Sequence, residues 1–347
     1  MKLLILTQKV DSRDDNLGFF HRWIEEFAKR CESVIVICLY EGAHSLPSNV
    51  RVLSLGKESG VSRIKYLKRF YSHIVRERKN YDAVFVHMNQ IYVVLGGLFW
   101  RLLGKHIGLW YAHGAVSLSL RCAALMTNKV FTSTAEGFRI STPKRHIVGQ
   151  GIDTNLFAQK DSYAIASPVR LVTVGRVMPS KNIEMMVDVL AILRFSDVPA
   201  TLDVVGSSDQ GDETYLTTLK EYVKDKGLDE AVRFTGGVPY ADLPNILLRY
   251  DIFINAGMTG SLDKALLDAA AAGLPVISSN PASHAFLSGD ASLGACDATE
   301  QSMADAIKKV VLMSEIERSA FGGALRERVA QEHALPRLIG AILAEMK

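Results

Sequence analysis

The chain has 347 residues, 48% of them hydrophobic and 22% charged, with a formal net charge of +3. That length suits two domains of ~100–200 residues each, and that balance suits a folded protein rather than a polyanion binder, so no nucleic-acid partner is expected. The four cysteines (Cys31, Cys38, Cys122 and Cys296) are scattered, with no CxxC or Cys/His ligand spacing; this excludes a zinc or disulfide framework and fits a reduced, cytoplasmic setting.

Short apolar runs rich in β-branched residues recur along the chain, each followed by a helical pattern. In the first half they fall at 3–7, 33–39, 50–55, 83–87, 107–112, 129–133 and 146–148. The opening Met1-Lys-Leu-Leu-Ile-Leu-Thr7 is too short for a signal-peptide core and reads as a buried first strand. Residues 63–79 form a basic helix with seven Lys/Arg and one acid, Glu77. Its Ile64, Leu67, Phe70/Tyr71 and Ile74/Val75 share one face, which suits a surface helix packed on its sheet; its positive charge would also suit anionic lipid headgroups. The apolar run 91–100 is cut by Arg101, well short of the ~20 residues that span a bilayer. A polar stretch at 158–168 reads as a linker, after which the strand pattern restarts at 169–174, 200–205, 232–235, 252–255 and 275–278. Strands alternating with helices predict parallel sheets covered on both faces, in two doubly wound α/β domains.

Two segments of the second half carry chemistry. Leu171-Val-Thr-Val-Gly175-Arg176-Val-Met-Pro-Ser180-Lys181 is a strand, a glycine turn and two cations five positions apart. Ser180 is placed to cap the next helix, whose Ile183, Val187, Leu190 and Leu193 follow at helical spacing. Arg176 and Lys181 then lie at a strand's carboxyl end, where open α/β sheets bind ligands, and would suit a diphosphate. The alternative is two solvated charges in an ordinary loop. The second segment has a small-residue loop at 256–261, a helix expected from about Leu262, and Asp268 within that helix. The loop and helix start suit an anion, and Asp268 suits a ribose diol, unless it only caps or solvates the helix.

Taken in order, these segments resemble a GT-B glycosyltransferase, close to the retaining glycosyltransferase family 4. Val174-Gly175-Arg176 with Lys181 is similar to the family's VGR…K motif, and Gln150-Gly151-Ile152-Asp153 through Phe157 to its NGVD…F. The stretches Phe234-Thr-Gly-Gly-Val238 to Tyr250-Asp251-Ile-Phe253, and Leu266-Leu-Asp268 to Gly273-Leu-Pro-Val-Ile277, also match. The resemblance implies two Rossmann-like domains facing a central cleft: 1–165 on the acceptor side, 166–325 binding the nucleotide sugar, and 326–347 a helix returning to the first domain. It implies that Arg176 and Lys181 hold the donor diphosphate and Asp268 the ribose. His113, in Trp110-Tyr-Ala-His113-Gly, would lie near the transferred sugar, against the alternative of a hydrogen-bonded histidine at a strand end. Gly18 would belong to the first βα loop. The expected catalytic set is His113, Arg176 and Lys181. The expected donor-binding set is Gly18, Gly175, Arg176, Lys181, Gly260, Ser261, Leu262, Asp263, Lys264 and Asp268.

One departure stands out. The family places two acids eight positions apart, and here the first position is Gly260 and the second Asp268. The sugar is then held by Asp263–Lys264 and loop amides, or mainly by backbone, or activity is reduced. The implied reaction is retaining transfer of a hexose from a UDP- or GDP-sugar to a hydroxyl of a glycan or lipid-linked acceptor, in cell-envelope polysaccharide or glycolipid synthesis. No Asp or His cluster has metal-ligand spacing, so metal-independent chemistry without a cofactor is expected, on a cytoplasmic protein with peripheral membrane contact through 63–79. The alternatives are a non-catalytic nucleotide-sugar binder partnering another enzyme, or a GT-B epimerase or phosphorylase. A dinucleotide oxidoreductase is disfavoured because no GxGxxG follows the first strand.

Overall fold

The computed structural model describes residues 1–208, 213–258 and 260–346, with side chains for all of these except 290–292. The chain divides into two compact units: Met1–Gly151 joined by the chain from His333 onward, and Ile152–Glu332.

The first unit holds β1 (Lys2–Val10), α1 (Phe19–Arg30), β2 (Ser33–Glu41), β3 (Val50–Ser54), α2 (Arg63–Arg76), β4 (Ala83–His87), α3 (Ile91–Leu102), β5 (His106–Trp110), α4 (Leu118–Met126), β6 (Lys129–Thr132) and β7 (Arg145–Ile147). The strands form one parallel sheet in the order β3-β2-β1-β4-β5-β6-β7. Because successive side chains on a strand point to opposite faces, β1 feeds two cores. Leu3 and Ile5 pack with Phe20, Trp23 and Phe27 of α1; Leu4 and Leu6 pack on the other face with Phe70 and Ile74 of α2 and Trp100 of α3. Burial on both faces explains why central strands such as β1 and β4 read as continuous apolar runs.

The second unit holds β8 (Val169–Val174), α5 (Ile183–Phe195), β9 (Ala200–Val205), α6 (Glu213–Asp225), β10 (Val232–Gly236), α7 (Leu243–Leu247), β11 (Ile252–Asn255), α8 (Lys264–Ala271), β12 (Val276–Ser278), α9 (Pro281–His284), α10 (Glu300–Leu312) and α11 (Glu315–Glu332). Its parallel sheet runs β10-β9-β8-β11-β12. The last helix, α12 (Leu335–Glu345), belongs to the first unit, where Leu338, Ile339 and Ile342 join the core beside α1.

Three expectations change. The stretch 158–168 is not a linker but is fastened along the second unit. The Lys160 amide donates to Ala272 O (3.1 Å), and its ammonium to Leu248 O (3.1 Å) and Tyr250 O (2.8 Å). The Tyr163 amide donates to Glu315 Oε1 (2.8 Å), while Arg318 Nε donates to Tyr163 O (2.7 Å). Its polar composition reflects these bonds, and the unit begins at Ile152 rather than near 166. At the other end, α11 runs unbroken through the expected boundary at 325, and only α12 returns to the first unit. Finally, α2 buries only Phe70 and Ile74, leaving Ile64 69% exposed and Leu67, Tyr71 and Val75 in the solvent as well. Among the described residues, no helix is long and apolar enough to cross a membrane.

Candidate functional site

In the second unit the strand order reverses between β8 and β11, which is where an open α/β sheet leaves a crevice at its carboxyl edge. The loops leaving these two strands are the two segments singled out in the sequence. After β8 the backbone turns at Gly175 (φ +140°), and a Cβ there would lie 2.9 Å from Lys181 Cε and Nζ. Glycine therefore lets Lys181 fold back across the strand end. Gly206, at the end of β9, approaches so closely that a Cβ would fall 2.0 Å from Gly175 O. Arg176 is half-buried on the same loop.

The helix after this loop starts later than expected. Ser180 lies in a short 3-10 turn, Pro179–Lys181, and α5 begins at Ile183, entered through Asn182 in the left-handed region (φ +52°). The backbone of Ser180 instead joins the two loops, its carbonyl accepting the Met258 N–H (2.9 Å). Thr259, within the expected small-residue loop, lies outside the described residues. Helix α8 likewise begins at Lys264 rather than near Leu262, capped by Asp263, whose Oδ1 accepts the Ala265 N–H (3.2 Å). Asp263 Oδ2 accepts from Asn255 Nδ2 (3.1 Å) and pairs with Lys181. So Gly175, Lys181, Asp263 and the ends of β8 and β11 do come together.

One turn further along α8, Asp268 neither caps nor solvates the helix. It is buried, and accepts from Lys264 Nζ at both oxygens (2.8 and 2.9 Å) and from the Tyr240 hydroxyl at Oδ1 (3.0 Å). Lys264 Nζ also donates to the Tyr240 hydroxyl (2.7 Å). Burial pushes the Asp268 carboxyl up and the Lys264 ammonium down, and each partner's charge opposes the other's shift. Three of the roughly four lone-pair positions of the Asp268 carboxylate are thus in use. Asp153, buried at the start of the unit, adds its charge to the field on Lys264.

Gly260 takes φ +64°, a left-handed conformation that a glutamate adopts only with strain, so an acid is disfavoured there by the backbone itself. Ser261 and Leu262 are buried, with Ser261 O accepting from Asn280 Nδ2 (3.0 Å). Gly18 and His113 lie in the first unit, in the loops leaving β1 and β5. Gly18 is the cap residue of α1, with ordinary helical angles. His113 is exposed; its backbone N–H donates to Gly137 O (2.9 Å), and its Nδ1 accepts the Ala115 N–H (3.1 Å). Sequence reading missed Tyr240, Asn255 and Asp153. Tyr240 and Asn255 sit 28 and 8 residues from their carboxylate partners, and only the fold reveals the pairing.

Comparison with known proteins agrees with this architecture. Residues 157–328 match the family Glycosyl transferases group 1. The GDP-mannose-dependent alpha-(1-6)-phosphatidylinositol monomannoside mannosyltransferase of Mycolicibacterium smegmatis is 29% identical over 231 residues, 61% of this chain and 58% of that protein. Mannosylfructose-phosphate synthase of Agrobacterium fabrum is 27% identical over 154 residues, covering 41% and 34%. The matches thus span between about a third and three fifths of these relatives' length. In fold, the chain is similar to Anabaena Alr3699/HepE, solved with UDP-glucose (TM-score 0.79, 16% identity, 99% of each chain). It is also similar to sucrose-phosphate synthase from Thermosynechococcus elongatus (TM-score 0.80, 14% identity, 99% and 98%). With two parallel-sheet units and a fold shared over the whole length, the chain has the GT-B fold, and its residues 157–328, within the second unit, belong to the group 1 glycosyltransferases.

Proposed function

We propose that this chain is a retaining glycosyltransferase of family 4 that moves a hexose from a UDP- or GDP-sugar to a hydroxyl of a glycan or lipid-linked acceptor, in cell-envelope polysaccharide or glycolipid synthesis. The observation that carries the reading is Lys181 folded across Gly175 at the switch point, beside the start of α8. In this scheme Arg176, Lys181 and loop amides stabilise the charge growing on the leaving diphosphate. Ser261, Leu262 and Lys264 shape the wall around it, and Asp268 offers its remaining lone pair to the ribose. Acceptor attack comes from the face the diphosphate leaves, a phosphate oxygen taking the hydroxyl proton; for His113 and Gly18, on the first unit, the reading keeps the roles that the family resemblance implies. The scheme uses no metal or cofactor.

The donor range is supported by relatives named for GDP-mannose and by a fold neighbour solved with UDP-glucose. Lipid acceptors are supported by one relative named as a phosphatidylinositol monomannoside mannosyltransferase and another named as an alpha-monoglucosyldiacylglycerol synthase. Peripheral contact with an anionic membrane is supported by the first unit. There α2 exposes Ile64, Leu67, Tyr71 and Val75 among Arg63, Lys65 and Lys68, and the neighbouring α3 exposes Leu98 and Leu102. Tyr71 OH donates to Leu95 O (3.1 Å), tying the two helices together.

The test is product analysis with UDP- and GDP-hexoses and membrane-extracted acceptors. The reading expects an acceptor-dependent product of retained anomeric configuration. Donor turnover without an acceptor, or a requirement for free phosphate, would instead indicate an epimerase or a phosphorylase. Membrane contact predicts co-sedimentation with phosphatidylglycerol vesicles and none with neutral ones; equal behaviour with both contradicts it.

A further inference from the structure

Asp263 is one carboxylate serving three donors: the Ala265 N–H at the start of α8, the Asn255 side-chain amide and the Lys181 ammonium. Asn255 is held rigidly for this, being 1% exposed with its Oδ1 accepting from the buried Ser278 hydroxyl (3.1 Å). An ammonium, a side-chain amide and a helix-start N–H converging on one acceptor are also the donors a phosphate oxygen requires. The Lys181 and Asp263 side chains are only 16% and 14% exposed, so their mutual attraction is weakly screened.

We propose that Asp263 is a built-in competitor for the donor's diphosphate. The carboxylate occupies the donors that the diphosphate needs, and a nucleotide gains Lys181 only by displacing or sharing it. This rests on the donor-site reading above and deepens it. Asp263 would thereby weaken the grip on donor and on the nucleoside diphosphate left after transfer. Release of that product would then be helped by the carboxylate returning to Lys181. The pairing of the other lysine, Lys264, with Asp268 leaves Lys181 as the cation whose availability Asp263 controls.

The experiment is calorimetric titration of UDP, GDP and inorganic pyrophosphate into wild type, Asp263→Asn, Asp263→Ser, Lys181→Ala and the Asp263→Ser/Lys181→Ala double variant. Serine keeps a helix cap without a carboxylate, which guards against misfolding of the asparagine variant. The proposal expects at least one of these probes to bind Asp263→Ser about tenfold tighter than wild type, with no such gain in the double variant. Loss of a merely structural contact does not tighten binding. Equal or weaker binding by a cooperatively folded Asp263→Ser, with wild type binding well, overturns the proposal and leaves the donor site standing. Binding to Asp263→Ser alone supports the proposal in its strongest form. No binding by wild type or by either Asp263 variant overturns the donor-site reading and this inference together.

Discussion

Replacing Lys264 by methionine keeps the apolar stem and removes the charge that faces Asp268. The two side chains are 15% and 4% exposed, so the carboxylate left behind has almost no access to water. Removing one partner of a buried ion pair costs about 3–5 kcal/mol. Tyr240 still donates to Asp268 Oδ1, which places the expected loss at about 3 kcal/mol. Without the cation, the carboxyl titrates higher in the folded than in the unfolded chain. Its burial is then tolerated below the unfolded value of about 4 and becomes increasingly costly as pH rises towards the folded value. The deficit against wild type should therefore shrink from pH 7 to pH 5. The assay is urea unfolding followed by hydrogen exchange across α8 and β11. The three tryptophans, Trp23, Trp100 and Trp110, all lie in the first unit, so their emission serves as an internal control and should not move. Lys264→Met/Asp268→Asn should recover much of the loss, since it removes the unpaired charge and keeps an acceptor for Tyr240. A loss below about 0.5 kcal/mol in the single variant, or no recovery in the double one, would refute the reasoning.

Two further predictions concern the backbone of the donor loop and the first unit. Gly260→Glu, which restores the family's first acid, should cost about 1–2 kcal/mol because of the left-handed backbone and should not raise turnover; unchanged stability with higher turnover contradicts this. His87 is stacked on Phe20 (ring centroids 4.0 Å), and complete burial pushes its pKa down to about 3. Its unfolded value is near 6.5, so the stability it secures is complete above that pH and falls by up to about 1.4 kcal/mol per unit as pH drops towards 3. Urea midpoints from tryptophan emission between pH 7 and 5 should show the slope, reduced in His87→Phe; identical slopes in the two proteins contradict the assignment.

The twelve strands of the described residues were legible in the sequence, the central ones because burial on both faces demands uninterrupted apolar runs such as Leu3–Leu6 and Leu171–Val174. Polar residues misled wherever their partners are distant in sequence. Lys160 and Tyr163 look like linker residues until the carbonyls of Leu248 and Tyr250 and the side chains of Glu315 and Arg318 are brought to them. Ser180 has the chemistry of a cap, but the loop spends an extra turn reaching Met258, and Asn182 enters the helix instead. At the candidate site, residue types marked the right loops but not the pairings. Asp268 pairs with Lys264 one turn away on its own helix, but the hydroxyl that bonds to both, that of Tyr240, arrives from another strand–helix connection. On α2, helical periodicity identified an apolar stripe but not how little of it the sheet covers.

The most direct test of the account is thermal unfolding of wild type and Lys181→Ala with UDP, GDP, ADP and their sugars. A nucleotide at 100 times its dissociation constant stabilises the state that binds it by about 2.7 kcal/mol. The account predicts a rise of several degrees with at least one UDP or GDP compound, lost in Lys181→Ala although that protein unfolds cooperatively on its own. A rise that persists undiminished in Lys181→Ala, or none with any nucleotide, contradicts a donor site at the carboxyl edge of β8 and β11.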